Sequence, residues 1–225
     1  MPREKPSVSR EDYLKAVWAA IQEGQAPVSA RLAEDLGVTP PAVTAALKRM
    51  ARDGYLRFSR DGRIGLTAKG RQTAEHLVLR HRLAEKLLTE VIGLDWTAAH
   101  EEAERLEHAI SHRVETLLLE RFGRESSCPH GVPLFGGLQA LRRRGAVPLS
   151  EAEIGDEVEV TRVWEKDQKF LEFVDGLHLR PGARLRVRAR EYDQTMTLAV
   201  QGRPRRVIHL GFPATSRIWV RRLSR

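Results

Sequence analysis

The sequence predicts a mainly α-helical chain that ends in a small β domain. Three observations predict it. Apolar residues recur at three- and four-residue spacing through the first two thirds. Two short alternating runs around Asp61-Gly62 interrupt that pattern once. After about residue 146 the pattern becomes alternating and β-rich, punctuated by Pro and Gly. The resulting regions are residues 1–73, 74–146 and 147–225.

Composition bounds the function. The chain has 225 residues, 41% hydrophobic and 30% charged, an ordinary globular balance. No apolar run reaches the ~18 residues of a membrane span, and the start, MPREKPSVSRED, lacks the apolar core of a secretory signal. The single cysteine, Cys128, forms no internal disulfide, so the expected compartment is the reducing cytoplasm. Net charge is +8, distributed as +5 over residues 1–73, −1 over 74–148 and +4 over 149–225. Six of the eight histidines fall between residues 76 and 130. A basic front, a His-rich acidic middle and a basic tail point to separate jobs and permit an anionic partner.

In the first region Leu14, Val17, Trp18 and Ile21 mark a helix with one buried face over residues 10–23. A second helix follows with Val28, Leu32 and Leu36 inward, Ser29 as its cap and Gly37 as its left-handed stop. After a short turn, Thr39 caps a third helix, Pro40 takes its first position, and Val43, Ala46, Leu47 and Met50 form its stripe. Strands Tyr55–Ser59 and Arg63–Leu66 then flank the Asp-Gly turn. Two helices on a tight Gly turn followed by a hairpin read as a winged helix-turn-helix. Thr39, Pro40, Pro41 and Ala42 let the third helix approach a major groove, with Thr44, Ala45, Lys48 and Arg49 on its outer face, and Arg31 on the helix before it. Arg57, Arg60 and Arg63 place cations on the wing. Such a surface offers methyl and phosphate contacts more than paired hydrogen bonds to bases. The competing reading is a three-helix domain with a solvated charged face.

In the second region a helix runs from the capping Thr67 to Gly93, with an apolar face of Leu77, Leu83, Ala84, Leu87, Leu88 and Val91. His81 and Glu85 lie one turn apart on its flank. A further helix after Asp95 continues to about Phe122 and puts His100, Glu104, Glu107 and His108 on one face. Cys128-Pro129-His130 adds a thiolate and an imidazole two residues apart. Imidazole and carboxylate together bind first-row divalent ions. Taken singly, His81/Glu85 reads as a surface ion pair, the four-residue set as an acidic flank and Cys128 as an inert thiol.

The third region alternates in DEVEVTRVW, LRPGARLRVRAREY, TMTLAVQG, RRVIHLG and RIWVRRL, with a helix-like insert at residues 170–179. These lengths fit a small SH3-like β barrel. Arg184, Arg186, Arg188 and Arg190 read as one charged face of it, touching DNA or only solvent.

SREDYLKAVW, the helix-turn-helix, and above all HRLAEKLLTEVIGLD followed by HEEAERLEHAIS resemble the diphtheria-toxin-repressor-like, manganese- and iron-dependent transcription regulators of bacteria. The resemblance covers nearly the whole chain and extends to an SH3-like (FeoA-like) domain at its end. It implies a helical metal-binding and dimerisation domain in the middle and two metal sites. One would use Asp12, Glu104, Glu107 and His108; the other His81, Glu85 and His100, with Cys128 and His130 beside Glu85. By spacing alone Glu165 and Gln168 read as a solvated loop; the resemblance makes them ligands supplied by the last domain. Where iron-responsive members carry Met and Cys, this chain has Asp12 and Glu104, which favours Mn²⁺, with Fe²⁺ second. Lys15 stands where the short manganese branch has a Glu, which argues against a two-ion cluster of that kind. The expectation is a homodimer that binds double-stranded DNA operators and represses metal uptake, with no membrane, no organic substrate and no catalysis. The rivals are an iron-dependent regulator, a metallohydrolase using the His/Glu cluster, and a metal-independent DNA binder.

Overall fold

The computed structural model describes residues 9–59, 63–202 and 206–224, and the chain divides into two compact units, Met1–Arg80 and His81–Arg225. In the first unit α1 (Arg10–Gln22), α2 (Ser29–Leu36) and α3 (Pro40–Arg52) pack around Leu14, Val17, Leu32, Val43, Leu47 and Met50. Ser9 and Asp12 cap α1 reciprocally: Asp12 N donates to Ser9 Oγ and Ser9 N to Asp12 Oδ2. Val28, not Ser29, precedes α2 without a side-chain cap, and Val28 is left exposed. Gly37 closes α2 at φ 64° and Thr39 caps α3 as the sequence predicts. Ile21, expected inside, is exposed because α1 meets its neighbours through Tyr13, Leu14, Ala16, Val17 and Ala20.

The wing is β1 (Leu56–Phe58) paired antiparallel with β2 (Ile64–Leu66). Its tip, with the Asp61-Gly62 turn and Arg60, lies outside the described residues. Thr67 Oγ1 accepts from Gly70 N and starts α4 (Ala68–Lys86). That helix continues as a π-helical stretch, Leu87–Ile92, which ends on Gly93 at φ 82°.

In the second unit every residue from His81 to Lys86 is buried. A helix buried on all sides must pair its polar groups. The single helix expected to run to Phe122 is broken into α5 (Ala99–Leu106), a 3₁₀ turn at Glu107–Ala109, an extended Ile110 and α6 (His112–Phe122). Ser111 restarts the chain by accepting from Val114 N.

After α7 (Gly137–Arg143), the last region forms an open six-stranded antiparallel sheet. Its strands are β3 (Ala146–Pro148), β4 (Glu157–Val163), β5 (Arg184–Arg190), β6 (Met196–Val200), β7 (Val207–Leu210) and β8 (Ile218–Ser224), in the order β3-β8-β4-β5-β6-β7. The predicted SH3-like barrel is therefore corrected. Closure requires β3 and β7 to find second partners, and neither does. β3 is three residues long, contains Pro148, which lacks an N–H, and packs against α7. β7 is four residues long and gives way at once to the Pro-containing α9 (Phe212–Thr215). The insert expected at residues 170–179 is α8 (Gln168–Gly176), and its Phe170, Leu171 and Val174 join Trp96 and the inner face of the sheet in one core. No helix among the described residues is long and apolar enough to cross a membrane.

Candidate metal centre

Buried within the second unit, α4, α5 and the segment around residues 127–133 bring five of the predicted donors together. Ligand atoms of His81, Glu85 and His100 lie within 4.8 Å of one another, and so do those of Glu85, Cys128 and His130. Glu85 is common to both sets and is 1% exposed. Its Oε1 stands 3.0 Å from His81 Nε2, 3.1 Å from His100 Nδ1 and 3.2 Å from His130 Nδ1.

The orientation of each imidazole is set from behind. His81 donates through Nδ1 to Glu107 Oε2 across 2.6 Å, because a carboxylate only accepts, so its Nε2 faces Glu85 and lies 2.9 Å from His100 Nδ1. His130, fully buried, donates through Nε2 to the Trp96 carbonyl oxygen at 2.9 Å. Its backbone oxygen accepts from Val163 N at the end of β4. Gly131, at φ 90°, permits this approach: a Cβ there would sit 1.9 Å from the Thr161 carbonyl oxygen.

The electrostatics follow from burial. Burial opposes the charge on Glu85, yet His130, His81 and His100 hold its pKa well below the carboxylate range. Burial likewise works against a charged His130, but Glu85 and the hydrogen-bonding Cys128 push it up to about 11. Cys128 is raised to about 11 by burial and by Glu85. Glu85 Oε2 nonetheless has no hydrogen-bond partner among the described residues, while His130 Nδ1 stands in ion-pair contact with Glu85 Oε1. A buried polar atom left unpaired costs about 1–3 kcal/mol. Three imidazoles, a carboxylate and a thiol gathered around such an atom form a donor set that a divalent cation satisfies.

The other predicted donors fall elsewhere. Glu165 is half-buried and bonded to Arg162 at 3.2 Å. Burial opposes its charge, but Arg162, with His100 and His130, holds it at about 2. It therefore stands beside the cluster as the partner of a guanidinium. Gln168 is exposed and donates to Glu172. Glu107, buried, orients His81, while Glu104 and His108 are exposed, with Glu104 Oε1 3.8 Å from His100 Nε2. Asp12 lies on α1 in the first unit as part of the cap described above.

Two groups escaped the sequence reading. Arg82 is buried and donates to the Pro133 and Leu134 carbonyl oxygens, clamping the Cys128–His130 segment onto α4. Arg162 is buried beside Glu165. Arg82 adjoins a predicted ligand, a usable signal; Arg162 sits in an alternating strand and gives none.

In the first unit Thr39, Pro40, Pro41, Ala42, Thr44, Ala45, Lys48 and Arg49 all lie on the exposed side of α3. Arg57 and Arg63 are exposed on the wing, and Arg31 is exposed with its guanidinium on Gln25.

Three family models match the chain. Residues 7–63 match the iron-dependent repressor N-terminal DNA-binding domain, and residues 67–136 match the iron-dependent repressor metal-binding and dimerisation domain. Residues 147–222 match the FeoA domain. The iron-dependent repressor IdeR of Mycobacterium tuberculosis is 42% identical over 126 residues, 56% of this chain and 55% of that protein. The diphtheria toxin repressor of Corynebacterium diphtheriae is 40% identical over 126 residues, 56% of each chain. The chain thus spans a little over half the length of these curated relatives. Among solved structures, a manganese-dependent transcriptional repressor in complex with manganese superposes with a TM-score of 0.84 at 31% identity, covering 96% of this chain and all of that one. ScaR with bound Zn²⁺ gives 0.79 at 26% identity, covering 96% of this chain and 100% of that one.

Proposed function

Because the chain belongs to the diphtheria-toxin-repressor-like family of metal-responsive, DNA-binding transcription regulators and is no enzyme, we propose that it represses metal-uptake genes when metal is replete, as a cytoplasmic homodimer on palindromic double-stranded operators. The observation that carries the metal-responsive part is the buried five-donor cluster around Glu85, whose Oε2 has no hydrogen-bond partner among the described residues. A bound divalent ion supplies positive charge there and cross-links the segments that carry the donors. Glu107 and the Trp96 carbonyl hold His81 and His130 with their free nitrogens toward Glu85. Arg82 keeps the Cys128–His130 segment in place.

The donor set bears on the ion. Hard carboxylates at Asp12 and Glu104 favour Mn²⁺, and the relative of TM-score 0.84 is described as manganese-dependent. The cluster itself holds three imidazoles and a thiol with one carboxylate, a softer set that suits Fe²⁺, and the 40–42% identical relatives are the iron-dependent IdeR and the diphtheria toxin repressor. We therefore rank Fe²⁺ first at the His81/Glu85/His100/Cys128/His130 site. Mn²⁺ is the second reading, favoured where the family resemblance assembles Asp12, Glu104, Glu107 and His108.

For DNA, the small residues Thr39–Ala42 let α3 enter a major groove, while Arg49, Arg57 and Arg63 meet phosphates. Val91, Ile92, Val114 and Leu117 are apolar and exposed within the stretch that matches the dimerisation model, which supports a second copy as their cover. The test is retention of fragmented genomic DNA by the protein with Fe²⁺ under anaerobic conditions, with Mn²⁺ and with EDTA. Specific fragments retained only with metal support the regulator, and the stronger ion settles the ranking. Equal retention under EDTA overturns it in favour of a metal-independent binder.

A further inference from the structure

The outer face of the C-terminal sheet carries a cationic stripe that the metal centre and the winged helix leave unused. Along β5 the residues alternate between exposed Arg184, Arg186 and Arg188 and buried Leu185 and Val187. Alternate residues on a strand stand ~6.6 Å apart on one face. Arg190 does not continue the row. A register shift between Val187 and Ala189 turns it toward the Ser150 and Ala152 carbonyl oxygens, each at 2.7 Å. Glu159 on β4 faces Arg184 at 3.7 Å and Arg221 of β8 at 3.2 Å, so one carboxylate serves two guanidiniums. Arg186 and Arg188 make no hydrogen bond or ion pair among the described residues. On the β4 side Arg186 lies opposite Glu157, and on the β6 side it lies opposite Ala199 and Ala189 opposite Thr197, so toward β6 the stripe opens onto small side chains.

We propose that this face, centred on Arg186 and Arg188, is a second, sequence-independent contact for the sugar-phosphate backbone of duplex DNA. Guanidiniums in a row match successive phosphates. Among the described residues the cross-strand neighbours of the stripe on β4 and β6 are carboxylates and small side chains, which disfavours single strands, held as they are by base stacking. Held as a rigid strand face, the stripe gives affinity without reading bases.

The test uses the full-length chain in EDTA with random-sequence duplex DNA, measuring affinity against salt. Each phosphate contact adds about 0.9 to the logarithmic salt slope, so the double variant R186Q/R188Q is expected to lower the slope by about 1.8, R188Q alone by about 0.9, and R186K/R188K to keep it. Identical slopes for the native chain and R186Q/R188Q overturn the proposal. So does competition by polyglutamate as effective as that by duplex DNA, which would make the partner an acidic protein. These readouts involve no metal, so they stand apart from the metal dependence tested above.

Discussion

His130 donates its Nε2 proton to the Trp96 carbonyl oxygen across 2.9 Å, and that bond decides which nitrogen of the ring faces Glu85. A carbonyl only accepts, so Nε2 must carry the proton and Nδ1 is turned to the carboxylate. Trp96 is itself fixed, since it belongs to the hydrophobic core built by α8 and the sheet, with the Arg180 guanidinium 5.1 Å from its ring centre. The C-terminal sheet region thus shapes the candidate metal centre from behind: its core holds Trp96, Trp96 holds His130, and Val163 holds the backbone beside it.

Removing the sulfur tests the ion ranking. Cys128→Ser keeps the volume nearly constant but exchanges a soft donor for a hard one. Affinity for Fe²⁺ is expected to fall at least about tenfold, and affinity for Mn²⁺ by much less. Anaerobic calorimetry on both ions checks this, and equal losses would take Cys128 out of the donor set.

Metal uptake should release protons. Before binding, His130 and Cys128 both have pKa values near 11, so both are protonated at pH 7, and each must lose its proton to coordinate. Affinity therefore rises with pH and weakens as pH falls. The metal-free fold behaves in the opposite sense. The pKa of folded His130 is raised above the ordinary 6.5, so its contribution to stability is complete below about 6.5 and is lost as pH climbs toward 11. Calorimetry in buffers of different ionisation enthalpy counts the released protons. A count of zero at pH 7 would show that neither group coordinates.

The helices were legible because periodicity reports burial, and the candidate donors because two ligand-bearing helices coincide with Cys128-Pro129-His130, although His81/Glu85 alone reads as a surface ion pair. Thr39, Gly37 and Thr67 announced helix ends through backbone chemistry that tertiary packing did not overrule. Two things were hidden. Ile110 is apolar and in phase with an α-helix, so nothing in the pattern marks the extended residue that breaks the chain there, turns Glu107 inward and leaves His108 exposed. That the sheet stays open was hidden as well, because alternation fixes the faces of a strand but says nothing about whether the two edges of the sheet meet.

Loss of the Thr39 cap should loosen α3 selectively. Its hydroxyl accepts from Ala42 N at 3.4 Å, at the end of the helix proposed to enter DNA. Thr39→Ala is expected to cost about 0.5–1 kcal/mol of stability in the first unit, while Thr39→Ser retains the cap. Chemical denaturation checks the stability. Proton release on metal binding should be unchanged, because His130 and Cys128 lie in the other unit.

Two glycines separate the units experimentally. A Cβ on Gly131 would lie 1.9 Å from the Thr161 carbonyl oxygen, and its φ of 90° strains any other residue; a Cβ on Gly70 would lie 2.0 Å from the Tyr55 carbonyl oxygen. The backbone conformation alone costs about 1–3 kcal/mol at Gly131, and the clash adds to it. Gly131→Ala must push the segment bearing Cys128 and His130 away from β4, so it should weaken metal binding more than it weakens DNA binding measured without metal. Gly70→Ala disturbs the contact between the wing and the start of α4, where Thr67 also bonds to the Tyr55 carbonyl, so it should do the reverse. Metal calorimetry and salt-dependent DNA binding on both variants give a two-by-two comparison. If Gly131→Ala leaves metal affinity untouched, the attachment of His130 to the sheet has no part in forming the centre.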